Sequence, residues 1–106
     1  MLHVLNLNPS NQIHKQFAEK VIRQHYKYCK LSSDTYKRFE AIGFAEITAV
    51  DGTVSYGICV LISGFWHCKY AGYKQQEIHG IYEQLLQFLQ EGNWNNYPQE
   101  LKRLIQ

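Results

Sequence analysis

Residues 44–70 read FAEITAVDGTVSYGICVLISGFWHCKY, and the reading of this stretch decides the fold. Phe44–Val50 and Thr53–Ile62 are rich in β-branched and aromatic residues, and Asp51-Gly52 stands between them. An Asp-Gly pair flanked by such runs is a strong short-range hairpin signal, because a two-residue type I′ turn needs positive φ at both central positions. Ser63-Gly64 is a second turn of the same kind, leading into Phe65–Tyr70. Residues 44–70 therefore read as a three-stranded antiparallel meander.

With two-residue turns the register follows. Across Asp51-Gly52, Ala49 faces Val54, Ile47 faces Tyr56 and Ala45 faces Ile58. Across Ser63-Gly64, Ile62 faces Phe65, Val60 faces His67 and Ile58 faces Lys69. These pairs share one mostly apolar face, the one helices are expected to cover. The other face then carries Phe44, Leu61, Trp66 and Tyr70 as an aromatic cluster. It also brings Cys59 opposite Cys68 in a non-hydrogen-bonded pair, where a cross-strand disulfide is geometrically allowed, and sets Tyr70 over Gly57. An exposed aromatic cluster on a small domain marks a contact surface, and Trp and Tyr are common binding anchors. Phe44, Leu61, Trp66 and Tyr70 are the candidate protein-binding residues, and pairing of two copies through this face is one way to use them. The bland alternative is that the C-terminal segment, with Trp94 and Tyr97, folds over the cluster.

Outward from the meander the period becomes helical. Apolar residues at Ile13, Phe17, Val21 and Tyr28 predict a helix from about Pro9 to Lys30, with Asn8 or Ser10 as its cap. Leu31-Ser32-Ser33-Asp34 breaks it, and a second helix is expected from Asp34 to Ala41, stopped at Gly43. After the meander, Ile78, Ile81, Tyr82, Leu85, Phe88 and Leu89 form a helical stripe closed by Gly92, and Pro98 opens a short last helix. Leu2–Leu7 reads as an extra N-terminal strand. The expectation is one α+β domain over residues 1–106: two N-terminal helices, a three-stranded antiparallel meander, a long helix and a short C-terminal helix.

Net charge is only +2, but its distribution is uneven. Seven Lys and Arg side chains against two acids lie in residues 14–38, and four against seven elsewhere. On the first helix Lys20, Arg23, Lys27 and Lys30 are spaced three, four and three apart, which puts them on one stripe. Lys37 and Arg38 extend it as candidate anion or nucleic-acid contacts. A basic stripe also suits a protein partner with an acidic surface, although solvated helix faces commonly look like this.

The order helix, three-strand meander, helix resembles a double-stranded-RNA-binding domain in topology, with the resemblance covering residues 44–89. That family carries a Lys-Lys-x-Ala-Lys run at the start of its last helix. The matching positions here are Gln75, Gln76, Glu77, Ile78 and His79, so the lysines that would grip phosphates are absent.

No catalytic constellation stands out. There is no Cys-x-x-Cys, no Gly-x-Ser-x-Gly, no phosphate-binding glycine loop and no His-Glu-x-x-His. Asp34 and Asp51 are explained as a helix start and a turn. His25, Cys29, Cys59, His67, Cys68 and His79 are the candidate zinc ligands, but strand alternation sends His67 and Cys68 to opposite faces, and no metal or cofactor is expected. Three cysteines and an N-terminus without a basic, long-apolar leader pattern fit a cytoplasmic chain with reduced thiols, and no apolar run has the length of a membrane span. By elimination the sequence favours a non-catalytic protein-binding module, an inhibitor, adaptor or immunity-type protein, with nucleic-acid binding through the basic stripe as the alternative.

Overall fold

The computed structural model describes residues 1–27 and 38–105. In chain order these are β1 (His3–Asn6), α1 (Gln12–His25), β2 (Phe39–Thr48), β3 (Val54–Ile62), β4 (Phe65–Gly72) and α2 (Gln75–Glu91), then 3₁₀ segments at Trp94–Asn96 and Gln99–Leu104. The strands form one sheet in the order β1-β2-β3-β4, every neighbouring pair antiparallel. The fold is α+β, and among the described residues α1 and α2 lie on one side of the sheet.

The N-terminal strand is real and joins the sheet edge beside β2, with Leu5 opposite Ile42. His3 Nδ1 shares a 2.7 Å hydrogen bond with the Tyr82 hydroxyl, which ties this edge to α2. Helix α1 starts later and ends earlier than its spacing predicts. Its cap is Asn11, whose side chain accepts from the backbone N–H groups of Ile13 (2.9 Å) and His14 (3.3 Å). Asn8 instead closes a local turn by accepting from Ser10 N–H.

The first half of the predicted second helix, residues 34–37, lies outside the described residues, as do Lys30 and Lys37. Its last residues are not helical: Phe39 and Ala41 already pair with β3, and Gly43 is an interior strand position. β2 is a central strand with ladders on both edges, so pairing overrides a local sequence that reads as helix.

The first hairpin differs from the predicted register by one residue, and the reason is its loop. Ala49 N–H bonds the Thr53 carbonyl at 2.8 Å, Gly52 N–H bonds the Ala49 carbonyl at 2.9 Å, and Gly52 sits at φ +87°. This is a three-residue loop, Val50-Asp51-Gly52, with only the glycine left-handed. Thr48 therefore faces Val54, Glu46 faces Tyr56 and Phe44 faces Ile58. Because side chains alternate, a slip of one residue turns the whole of β2 over. Ile42 and Phe44 go to the helices, while Ala45 and Ile47 go to the far side. The two-residue turn with positive φ at both positions occurs at Ser63 (φ 51°) and Gly64 (φ 85°), and there the predicted pairs Ile62–Phe65, Val60–His67 and Cys59–Cys68 hold.

A bulge follows in β4. Tyr70, not Lys69, faces Ile58, which leaves Lys69 as the extra residue. Tyr70 is thereby placed on the helix side, and Gly57 meets the Cys68 sulfur rather than the Tyr70 ring.

The core lies between the sheet and the helices. Phe17 and Val21 of α1 and the predicted α2 stripe from Ile78 to Leu89 pack on Phe39, Ile42, Phe44, Ile58, Val60 and Ile62. Gly92 ends α2 in a left-handed conformation, as expected. The C-terminal segment closes the helix layer and does not reach the other face of the sheet: Trp94 and Tyr97 stack around Phe88, and Leu101 and Leu104 are fully buried.

Candidate binding surfaces

Among the described residues, no helix lies against the outer face of the sheet. Strand alternation gives that face Val4 and Asn6 of β1, Ala41, Gly43, Ala45 and Ile47 of β2, Ser55, Gly57, Cys59 and Leu61 of β3, and Trp66, Cys68 and Ala71 of β4. None of these side chains is charged. The relief is uneven. Ala41, Gly43, Ala45, Gly57 and Cys59 form its floor and are already buried, Ala41 fully, with Met1 close to Gly43; Val4, Trp66 and Cys68 are exposed at its margins. Leu61 and Trp66, paired across the β3–β4 ladder, form a ridge beside the floor, with Trp66 40% exposed.

Cys59 and Cys68 face each other on this surface as free thiols. Burial first, and then the neighbouring Cys68, push the Cys59 thiol up to about 12, so it is protonated and unreactive at neutral pH.

Two of the four predicted aromatic-cluster residues are therefore here, and two are not. Phe44 is 2% exposed, enclosed by the rings of Tyr56, His79 and Tyr82; the register of the first hairpin buries it. Tyr70 lies on the helix side because of the bulge at Lys69, with the Arg103 guanidinium 4.7 Å from its ring centre.

The basic residues also divide. Lys20, Arg23 and Lys27 line one flank of α1, where they border a cleft of about 340 Å³ with Gln24 and Ile105. Lys20 lies over the Trp94 ring at 5.2 Å. Arg38 does not extend this row. It pairs with Glu40 at 3.1 Å and lines a separate cavity of about 360 Å³ on another flank of α1, with Lys15, Ala18, Glu19 and Ile22. Gln24 and Ile105 carry no sequence signal for a site; only the packing of the C-terminal segment on α1 brings them together.

The candidate zinc ligands do not converge among the described residues, where no group of three metal-binding side chains occurs. His67 faces α1 and Cys68 faces outward, as alternation predicts, and His79 pairs with Glu83 at 3.3 Å. Cys29 lies outside the described residues. What does form is a pair of imidazoles under α1 beside a lysine. The rings of His25 and His67 are 4.4 Å apart, and the Lys69 ammonium touches His25 Nδ1. Burial, then Lys69 and then His67 hold the His25 pKa down at about 4; burial and Lys69 lower that of His67.

This has a consequence for stability. Both rings are neutral in the folded chain at pH 7, and the unfolded chain takes up protons near pH 6.5. Stability is therefore full above about pH 6.5 and falls as pH drops toward 4. Among the described residues, Tyr26 after α1 and His67 and Lys69 on β4 are the polar groups facing His25, and none of these is an anion. After allowance for solvent screening, the expected loss between pH 7 and pH 5 is about 1 kcal/mol. Urea unfolding at the two pH values should show it, and His25→Gln should remove most of it. An equal loss in that variant would assign the pH dependence to other groups.

No helix among the described residues is long and apolar enough to cross a membrane. Comparison of the chain with protein-family models, with curated proteins and with solved structures gives no match, so the surfaces described above are the whole basis for a functional reading.

Proposed function

We propose that the chain is a non-catalytic binding module that acts through the outer face of its sheet, and that the partner seated there is a second copy of the chain. The observation that carries this is the uncharged outer face, on which Leu61, Trp66, Cys68 and Val4 stay accessible around a floor that is already buried. A twofold axis would set the accessible Leu61–Trp66 ridge of each copy against that of the other, as an isologous dimer requires. Bringing two such faces together opposes no like charges.

Because its floor is already buried, the accessible part of this face is smaller than the roughly 800 Å² per partner of a stable interface, which favours weak association. A dissociation constant in the micromolar range is the reasonable expectation. An acidic protein partner would find nothing to pair with on this face; that expectation belongs to the α1 flank. Duplex RNA gripped through the last helix is disfavoured, since the first turn of α2 carries Glu77 and no lysine.

Trp66→Ala removes half of the ridge and is expected to weaken self-association about tenfold or more, read by analytical size-exclusion over a concentration series. An unchanged elution profile would count against the outer face.

A further inference from the structure

Two free thiols face each other on the outer side of the sheet, Cys59 on β3 and Cys68 on β4. Counted from the two-residue turn at Ser63-Gly64, they form a non-hydrogen-bonded antiparallel pair. The Cα atoms of such a pair stand roughly 4.5 Å apart, within the span of about 4.4–6.8 Å that a disulfide bridges. The two thiols differ in what can reach them: Cys68 is exposed and Cys59 is buried. Cys59 does meet Cys68, which after burial is the next cause that keeps its proton in place. The Cys68 sulfur is lightly held. It leans toward Gly57, where a Cβ would lie 2.7 Å from it, and donates only a long 3.7 Å hydrogen bond to the Tyr70 carbonyl. The bulge at Lys69 follows directly and interrupts the ladder beside the pair.

We propose that Cys59 and Cys68 are a reversible thiol–disulfide pair, in which a hydroperoxide oxidises Cys68 and Cys59 then bonds to it within the same chain. In the first step the Cys68 thiolate attacks one oxygen of the peroxide. The O–O bond breaks, Cys68 becomes a sulfenic acid, and the departing oxygen leaves as water or an alcohol with the proton that the thiol released. In the second step the Cys59 sulfur attacks that of Cys68. The S–O bond breaks, and the hydroxyl leaves as water with the Cys59 proton. Two electrons pass from the thiols to the peroxide. Burial sets the order of events: an oxidant from solvent meets Cys68, and Cys59 is the thiol placed to meet the product. Oxidation of Cys68 also removes the thiolate whose charge kept the Cys59 proton on. Because Cys68 lies at the surface, a small dithiol can reopen the bond by exchange.

The test is treatment of the full, unmodified chain with hydrogen peroxide, followed by intact mass, alkylation of the remaining thiols and peptide mapping. A protein concentration of about 0.1 μM lies below the expected range of self-association, so the result is independent of the sheet-face dimer. The expected result is the loss of the mass of two hydrogen atoms, a linked Cys59–Cys68 peptide without Cys29, and the return of both thiols with dithiothreitol. Cys68→Ser should slow the oxidation of Cys59 at least about tenfold relative to the unmodified chain. Cys59→Ser should leave the first step intact, so that Cys68 accumulates as a sulfenic acid that dimedone traps. An unchanged thiol content would overturn the proposal. So would a bridge to Cys29 or between copies, oxidation of Cys68 beyond the sulfenic acid with no disulfide formed, or equally fast oxidation of Cys59 in Cys68→Ser. The linked peptide is read on the unmodified chain, so the test does not depend on the stability of either variant.

Discussion

Phe17→Ala is expected to destabilise the chain by about 4 kcal/mol, a large part of the 5–15 kcal/mol typical of a domain. Phe17 is fully buried, and its ring meets those of Phe39 (5.8 Å), Phe88 (6.2 Å) and Tyr97 (6.3 Å). These belong to β2, to α2 and to the C-terminal segment, so one side chain joins α1 to every other layer of the core. Removing the ring loses its transfer free energy and leaves a cavity among rigid neighbours that cannot collapse into it. Urea unfolding followed by circular dichroism should show the midpoint drop sharply. A loss below about 1 kcal/mol would mean that α1 is not anchored through Phe17.

Leu61→Asp is expected to abolish self-association while the monomer remains folded. Leu61 is half-buried on the outer face, beside Trp66 and away from the helix layer. Its loss therefore costs the isolated chain little. In the dimer the carboxylate would be enclosed in an apolar interface with no cation in reach, and its twofold mate would bring a second one nearby. Desolvation of an unpaired charge should weaken association by at least about a hundredfold. Phe44→Asp is the contrasting case. Phe44 faces the helices, so that change should unfold the chain. The pair separates the two faces of the sheet: if Leu61→Asp unfolded and Phe44→Asp did not, the register of the first hairpin would be wrong.

The faces were only partly legible in the sequence. The α2 stripe from Ile78 to Leu89, its stop at Gly92 and the Ser63-Gly64 hairpin follow from spacing and turn chemistry, and all three stand. So do the α+β class and the N-terminal strand. The β2 register did not follow, because Asp-Gly is compatible with a two-residue loop and with a three-residue loop that also uses Val50. Packing makes the choice. One alternation puts Ile42 and Phe44 under the helices; the other would put Ala41, Gly43 and Ala45 there and leave a void. Comparing side-chain volume on the two alternations of residues 39–47 would have selected the observed register. The bulge at Lys69 had no such signal, and it moved Tyr70 out of the predicted cluster. Leu61 and Trp66 stand on the expected face because the Ser63-Gly64 turn beside them, the weaker of the two signals, is the one that forms a two-residue loop. The Lys20, Arg23 and Lys27 row was readable as helical spacing, but the cleft it borders was not, since Gln24 and Ile105 are 81 positions apart and meet only through tertiary packing.

The central claim is that the outer sheet face is an interface between copies of this chain. Sedimentation equilibrium of the unmodified chain from about 1 μM to several hundred μM tests it directly, in a range that brackets the expected affinity. The account predicts a mass that rises from monomer to dimer and stops there, because a twofold interface closes on itself. A mass that stays monomeric throughout, or one that climbs past the dimer without limit, would contradict it.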